Sequence, residues 1–297
     1  MTAVRDLAWP VFVMDRVQGP EKRCEMIEDG FGDIIGKARA GMGMTLKQLA
    51  HVTQLAVERV RLLEECEDDP TQEECRRLAL ALHLHPGALE QIARRDYLPY
   101  VLQNADIRVY SCQVSAMRAN AYLCVEQAKM AALLVDPGGD VSTLLQLVEK
   151  NDLTLAGVLI THGHADHTAG AAVVANRFRL PVLAHPQEYV TERSAALNGT
   201  GSYHVGPISV RALHCPGHTQ HGYAFMVGDA LFTGDTLFAG SMGRTRSVTA
   251  YSRLLESGRR LLALSPLIRI YPGHGPVTTV EQERMNNPFL AEYYSQI

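Results

Sequence analysis

The period of the hydrophobic pattern changes once along this chain, near residue 100, and that change limits what the chain can fold into. Upstream, DIIGKARAGMG, TLKQLAHV, AVERVRLLEEC, TQEECRRLALALHL and GALEQIARR repeat apolar residues at three- and four-residue spacing between Gly, Pro or polar breaks. This spacing predicts five short helices. Thr45 with Gln48 reads as a capping box opening the second, and Asp69-Pro70 followed by Thr71 stops one helix and starts the next. Downstream of DYLPYVLQNAD, the runs IRVYSCQV, AYLCVE, AALLVD, GVLIT, PVLAH, ISVRALH, YAFMVG and ALFTGD are apolar and β-branched, which predicts strands. Helical stretches fall between them at about 141–150, 167–178 and 248–263. The expected architecture is α+β: a small all-α domain over residues 1–100 and a larger sheet-containing domain over 101–297, each with its own core.

No stretch approaches the roughly 20 apolar residues that a membrane span needs. MTAVRDLAWPVFVMD carries Asp6 and an apolar run broken by Pro10, so it does not read as a secretory signal. Cys24, Cys66, Cys75, Cys112, Cys124 and Cys215 form no C-x-x-C pair, which suits reduced thiols and makes the cytoplasm the expected location. Residues 1–96 hold 13 Lys and Arg against 17 Asp and Glu, whereas 97–297 hold 15 of each, so the net charge of −4 lies entirely in the helical third. A region that gripped phosphates would lean the other way.

In the larger domain, histidines and aspartates stand just beyond strands. His162 and His164 follow GVLIT, and Asp166 and His167 come next as a helix begins. His218 in HCPGHT follows ISVRAL, Asp235 in FTGDT follows ALF, and His274 in YPGHGP follows IRI. A rigid sheet can aim side chains from such loops at one point. Imidazole and carboxylate together suit zinc, iron or manganese, and seven candidates exceed the needs of one tetrahedral ion. Two divalent ions are therefore implied, zinc first, with iron or manganese as alternatives. His51, His83, His85, His185, His204, His214 and His221 fall outside the pattern and read as packed or solvated, His221 being placed to line the cavity mouth. Cys215 reads as a small buried residue rather than a nucleophile.

THGHADH, HCPGHT, FTGDTLF and YPGHGP, with LLVDPGGD upstream and GSMGRT and ERMNNPFL downstream, resemble the metallo-β-lactamase fold over about residues 105–292, in particular its glyoxalase II-like hydrolases. The resemblance implies an αββα sandwich with a dinuclear site at one edge. It implies that His162, His164 and His218 bind the first metal, that Asp166, His167 and His274 bind the second, and that Asp235 bridges the pair. Asp166 and Asp235 are then the catalytic carboxylates, and Asp136 in VDPGGD orients the ligand loops. The implied reaction is hydrolysis of a small thioester, of hydroxyacylglutathione type, by a hydroxide shared between ions roughly 3.5–4 Å apart. Three departures touch loops around the substrate. GRTRSVTAY has Arg246 where the family has an acid, HTQHG replaces HTPG, and no long helical extension of the kind that grips glutathione follows NPFL. The same motifs also resemble persulfide dioxygenases, which implies instead one iron on His162, His218 and Asp235.

Residues 32–93 resemble the helix-turn-helix domain of phage-repressor type. The scaffold positions Leu49, Ala50, Val60, Leu63, Glu64, Leu78 and Leu82 fit, whereas Leu46, Gln54, Ala56 and Glu58 depart from its DNA-contact pattern. The resemblance makes DNA a possible partner through Arg59 and Arg61, and the chain a possible regulator with a metal-binding sensor. Glu58 and the run EECEDDP oppose that grip. The expected role of the region is packing, with a homodimer built partly on the apolar faces of residues 31–96.

Overall fold

The structure, a computed structural model, describes residues 27–101 and 106–291. It opens with α1 (Phe31–Gly41), α2 (Leu46–Thr53), α3 (Val57–Glu64), α4 (Gln72–Ala81) and α5 (Pro86–Ala93). The capping signals act as the sequence suggests. Thr45 Oγ1 accepts from Gln48 N at 3.2 Å while Gln48 Oε1 accepts from Thr45 N at 2.8 Å. Thr71 and Glu74 repeat the exchange at 3.3 and 2.8 Å at the start of α4. Each pair satisfies two N–H groups that the first helical turn leaves open.

Twelve strands among the described residues then form two six-stranded sheets. The first holds β1 (Ile107–Gln113), β2 (Asn120–Glu126), β3 (Ala131–Val135), β4 (Thr154–Leu159), β5 (Val182–Ala184) and β6 (Ser194–Ala196) in chain order. The second holds β7 (Gly201–Val205), β8 (Ile208–His214), β9 (Tyr223–Val227), β10 (Ala230–Gly234), β11 (Arg269–Pro272) and β12 (Thr278–Thr279), also in chain order. Pairing is parallel from β3 to β6 and between β10 and β11, and antiparallel elsewhere. Three of the four parallel steps are crossed by helices, namely α6 (Ser142–Lys150), α7 (Ala165–Thr168) with α8 (Ala171–Phe178), and α9 (Val248–Leu262), while β5 runs to β6 through residues 185–193 without one. The helix expected at 167–178 is thus two, parted at Ala169 and Gly170, and α10 (Val280–Asn286) follows β12.

Side-chain alternation sorts these strands into layers. Tyr122 and Cys124 of β2 join Phe225 and Phe232 between the sheets, while Leu123 and Val125 face outward with Leu144 of α6 and Val174 of α8. The result is an αββα sandwich. On the far side, Leu231 of β10, Leu254 and Leu262 of α9 and Phe289 share one apolar cluster with Ile34, Ile35 and Ala38 of α1 and with Leu78 and Leu89. The expectation of two separate cores is corrected here. The helical region buries its apolar faces against the sandwich, because α9 presents an apolar face for α1 to cover. At that crossing the ring of Tyr251 lies on the bare backbone of Gly41, where a Cβ would come within 2.4 Å of it. Part of the apolar surface of residues 31–96 is thus used within the chain, while Val52, Val57 and Leu80 stay exposed. No helix among the described residues is long and apolar enough to cross a membrane.

Candidate metal centre

All seven candidates meet at one edge of the sandwich, carried by loops that leave β4, β8, β10 and β11. His162 Nε2 and His218 Nε2 each lie 3.0 Å from His164 Nδ1, and Asp235 Oδ2 is 3.4 Å from His218 Nε2. Beside this group, His167 Nε2 is 3.7 Å and His274 Nε2 3.4 Å from Asp166 Oδ2. Asp235 stands between the groups: Oδ1 is 3.4 Å from His167 Nε2, and Oδ2 is 3.8 Å from His274 Nε2. Close approach of the backbone makes room for it. A Cβ on Gly273 would sit 2.2 Å from Asp235 Oδ1, so the residue before His274 has to be glycine.

The ligand atoms fit cations. His167 Nε2 and Asp235 Oδ1 are buried, face each other, and have no hydrogen-bond partner in the protein. A cation between them satisfies both, where a buried orphan pair would otherwise carry a desolvation cost. The three nitrogens converging at 3.0 Å make the same point, since one proton between two rings leaves the third unserved.

Tautomers and orientations are set from behind. His218 Nδ1 donates to the Arg244 carbonyl at 2.8 Å, which turns the Nε2 lone pair toward the cluster. Asp136 follows β3 with φ +48°, a conformation uncommon outside glycine, and its carboxylate serves three groups. It accepts from Thr161 N at 2.8 Å and Thr161 Oγ1 at 2.6 Å, and lies 3.1 Å from His167 Nδ1. Burial holds His162 and His218 below the usual imidazole range. For His167 burial acts in the same direction, but the Asp136 hydrogen bond and the charges of Asp136, Asp235 and Asp166 outweigh it and push the ring up to about 9. Burial would raise the Asp235 carboxyl; the surrounding His162, His167, His218 and His274 instead hold it well below the carboxylate range. Burial pushes the Cys215 thiol up to about 12, which leaves it protonated and unsuited to attack.

Sequence patterning missed several neighbours. Glu188 accepts from Gly163 N and from His221 N, each at 2.9 Å, and so ties the His162 loop to the His218 loop. His221, which the sequence does single out, stacks on His185 with ring centroids 4.3 Å apart. Glu28, just before α1, brings Oε1 to 3.9 Å from His274 Nδ1. Lys37 is buried on α1; a lone lysine among Ile34, Ile35 and Ala38 was the one visible signal. The cations singled out for DNA lie elsewhere. Arg59 donates to Glu74 at 2.7 and 2.8 Å and to the Asp69 carbonyl at 3.0 Å, and Arg61 pairs with Glu58 at 2.7 Å and with Glu65.

Fold and site together define a class, and the metallo-beta-lactamase superfamily pattern matches residues 115–274, more than half of the chain. The chain belongs to the metallo-β-lactamase superfamily. It is 34% identical to hydroxyacylglutathione hydrolase GloC of Haemophilus influenzae over 208 residues, 60% of this chain and 95% of that one. Among solved structures, ETHE1 from Myxococcus xanthus superposes with a TM-score of 0.56 at 30% identity, covering 63% of this chain and 84% of its own. The BLEG-1 B3 metallo-beta-lactamase does so with 0.55 at 29% identity, covering 62% and 99%. The five helices precede the matched residues.

Proposed function

We propose that the chain is a metal-dependent hydrolase of a small thioester, of hydroxyacylglutathione type. In this reading His162, His164 and His218 hold one divalent ion, Asp166, His167 and His274 hold the other, and Asp235 bridges them. The observation that carries it is the position of Asp235 between two groups of ligand atoms, with Oδ1 buried and unpartnered. When bound, two divalent ions make a water acidic enough to attack at neutral pH and polarise a carbonyl. The chain's own residues do the rest. Asp136 fixes the His167 ring, the Arg244 carbonyl fixes His218, and Glu188 holds two ligand loops in register. Likeness to GloC supports the thioester, and the free state of the five described cysteines accords with a cytoplasmic location. The acidic helical third and the pairing of Arg59 and Arg61 favour a structural role for that region over DNA binding.

Turnover of a panel of glutathione thioesters, followed with an oxygen electrode, tests the reading. We expect thiol release without oxygen uptake. Oxygen consumption with a persulfide and no thioester cleavage would replace it with the dioxygenase reading.

A further inference from the structure

The loop from Phe238 to Arg244 touches the centre at three places. Gly243 N donates to the Asp235 carbonyl at 3.0 Å, the Arg244 carbonyl accepts from His218 Nδ1 at 2.8 Å, and the Phe238 ring lies 5.7 Å from that of His274, edge to face at 72°. Part of this loop is held by the sandwich. Glu283 accepts from Gly240 N at 2.9 Å, and the Asn287 amide donates to the Ser241 carbonyl at 3.0 Å. The remainder is held from α1. Lys37 Nζ donates to the Met242 carbonyl at 2.7 Å, sits 5.2 Å over the Phe238 ring, and pairs with Asp29. At the surface, Arg244 reaches Asp33 at 3.2 Å.

We propose that Lys37 is a positioning residue for the metal centre, anchoring the 238–244 loop and through it the settings of Asp235, His218 and His274. This rests on the reading of those residues as metal ligands. A lysine whose side chain is 5% exposed is costly to bury, and well-packed apolar residues often serve stability as well as a buried ion pair does. What an apolar side chain cannot do is bond the Met242 carbonyl. The ammonium meets a carbonyl 205 residues away in sequence, on the loop that touches three of the seven candidate ligands. The helical region is on this account part of the centre's frame.

The test uses the full chain carrying Lys37→Met with Asp29→Leu, so that neither charge is left buried alone. We expect it to fold, to lose metal to a chromophoric chelator at least about tenfold faster than the parent, and to show shifted d–d bands when loaded with cobalt. Asp29→Asn removes the counter-charge and should lower stability, but it keeps the lysine and its carbonyl bond, so the folded variant should keep the parent spectrum. A folded double variant with parental release rate and bands overturns the proposal. If the double variant does not fold, Lys37→Gln with Asp29→Asn carries the test, because it keeps an uncharged polar pair while the side chain, one atom shorter, no longer reaches the Met242 carbonyl: altered bands support the proposal and unaltered bands overturn it. Failure of the underlying reading looks different, since the parent itself would then take up no cobalt.

Discussion

The helical region carries cations on two faces, and they are spent differently. On α3, Arg59 and Arg61 pair with Glu74, Glu58 and Glu65, all within the same region and mostly at the surface. On α1, Lys37 is buried and reaches across to Met242 in the sandwich. The outward face neutralises itself, so a nucleic-acid phosphate would have to displace carboxylates already in place. The inward face is joined to the loop beside the centre. The comparison teaches that this region's buried lysine points toward the chemistry, although its sequence resembles an outward-looking domain.

Truncation breaks the comparison most severely. Removing residues 1–96 uncovers Leu231, Leu254 and Phe289 and takes away Lys37, so a chain beginning at Tyr97 should be poorly soluble and should not retain its metals. From sequence alone the same fragment is expected to keep its metals and lose only its assembly; a soluble, metal-replete fragment would restore that view. Next in size is Asp235→Ala in the full chain, which should abolish thioester turnover while leaving the circular dichroism spectrum of the fold, because one carboxylate faces both groups of ligands. Activity within a few-fold of the parent would remove Asp235 from the bridging role. Gly41→Val drives a side chain into the Tyr251 ring and should lower stability in urea by about 1–3 kcal/mol, the range for overpacking. An unchanged midpoint would mean that α1 and α9 are less tightly joined than described. Smallest of all, Arg61→Ala should change neither metal content nor melting temperature, since its partners are solvent-exposed acids.

How far the sequence anticipates this molecule depends on the range of the signal. The five N-terminal helices are legible because Thr45, Gln48, Thr71 and Glu74 are local caps and the apolar spacing is local too. The convergence of His162, His164, Asp166, His167, His218, Asp235 and His274 is legible because each stands beside a strand end, a pattern repeated in separate motifs. Strands β6 and β12, of three and two residues, are too short to show alternation, and α10 is capped only by Thr279. The break between α7 and α8 is hidden because Ala169 and Gly170 do not interrupt the apolar pattern enough to announce it. The partner of Lys37 is a backbone carbonyl, which carries no residue identity for a sequence to display. The shared cluster was missed for a related reason: apolar faces announce that they will be buried, but not against what.

The central claim is that two ions sit among these seven side chains, and counting them tests it most directly. Inductively coupled plasma mass spectrometry on the full chain, purified without chelators and paired with quantitative amino-acid analysis, should give close to two first-row divalent metals per chain. The count should fall in Asp235→Ala and hold in Arg61→Ala. One tightly held iron per chain, with a second site that stays empty under added zinc or manganese, would contradict the account.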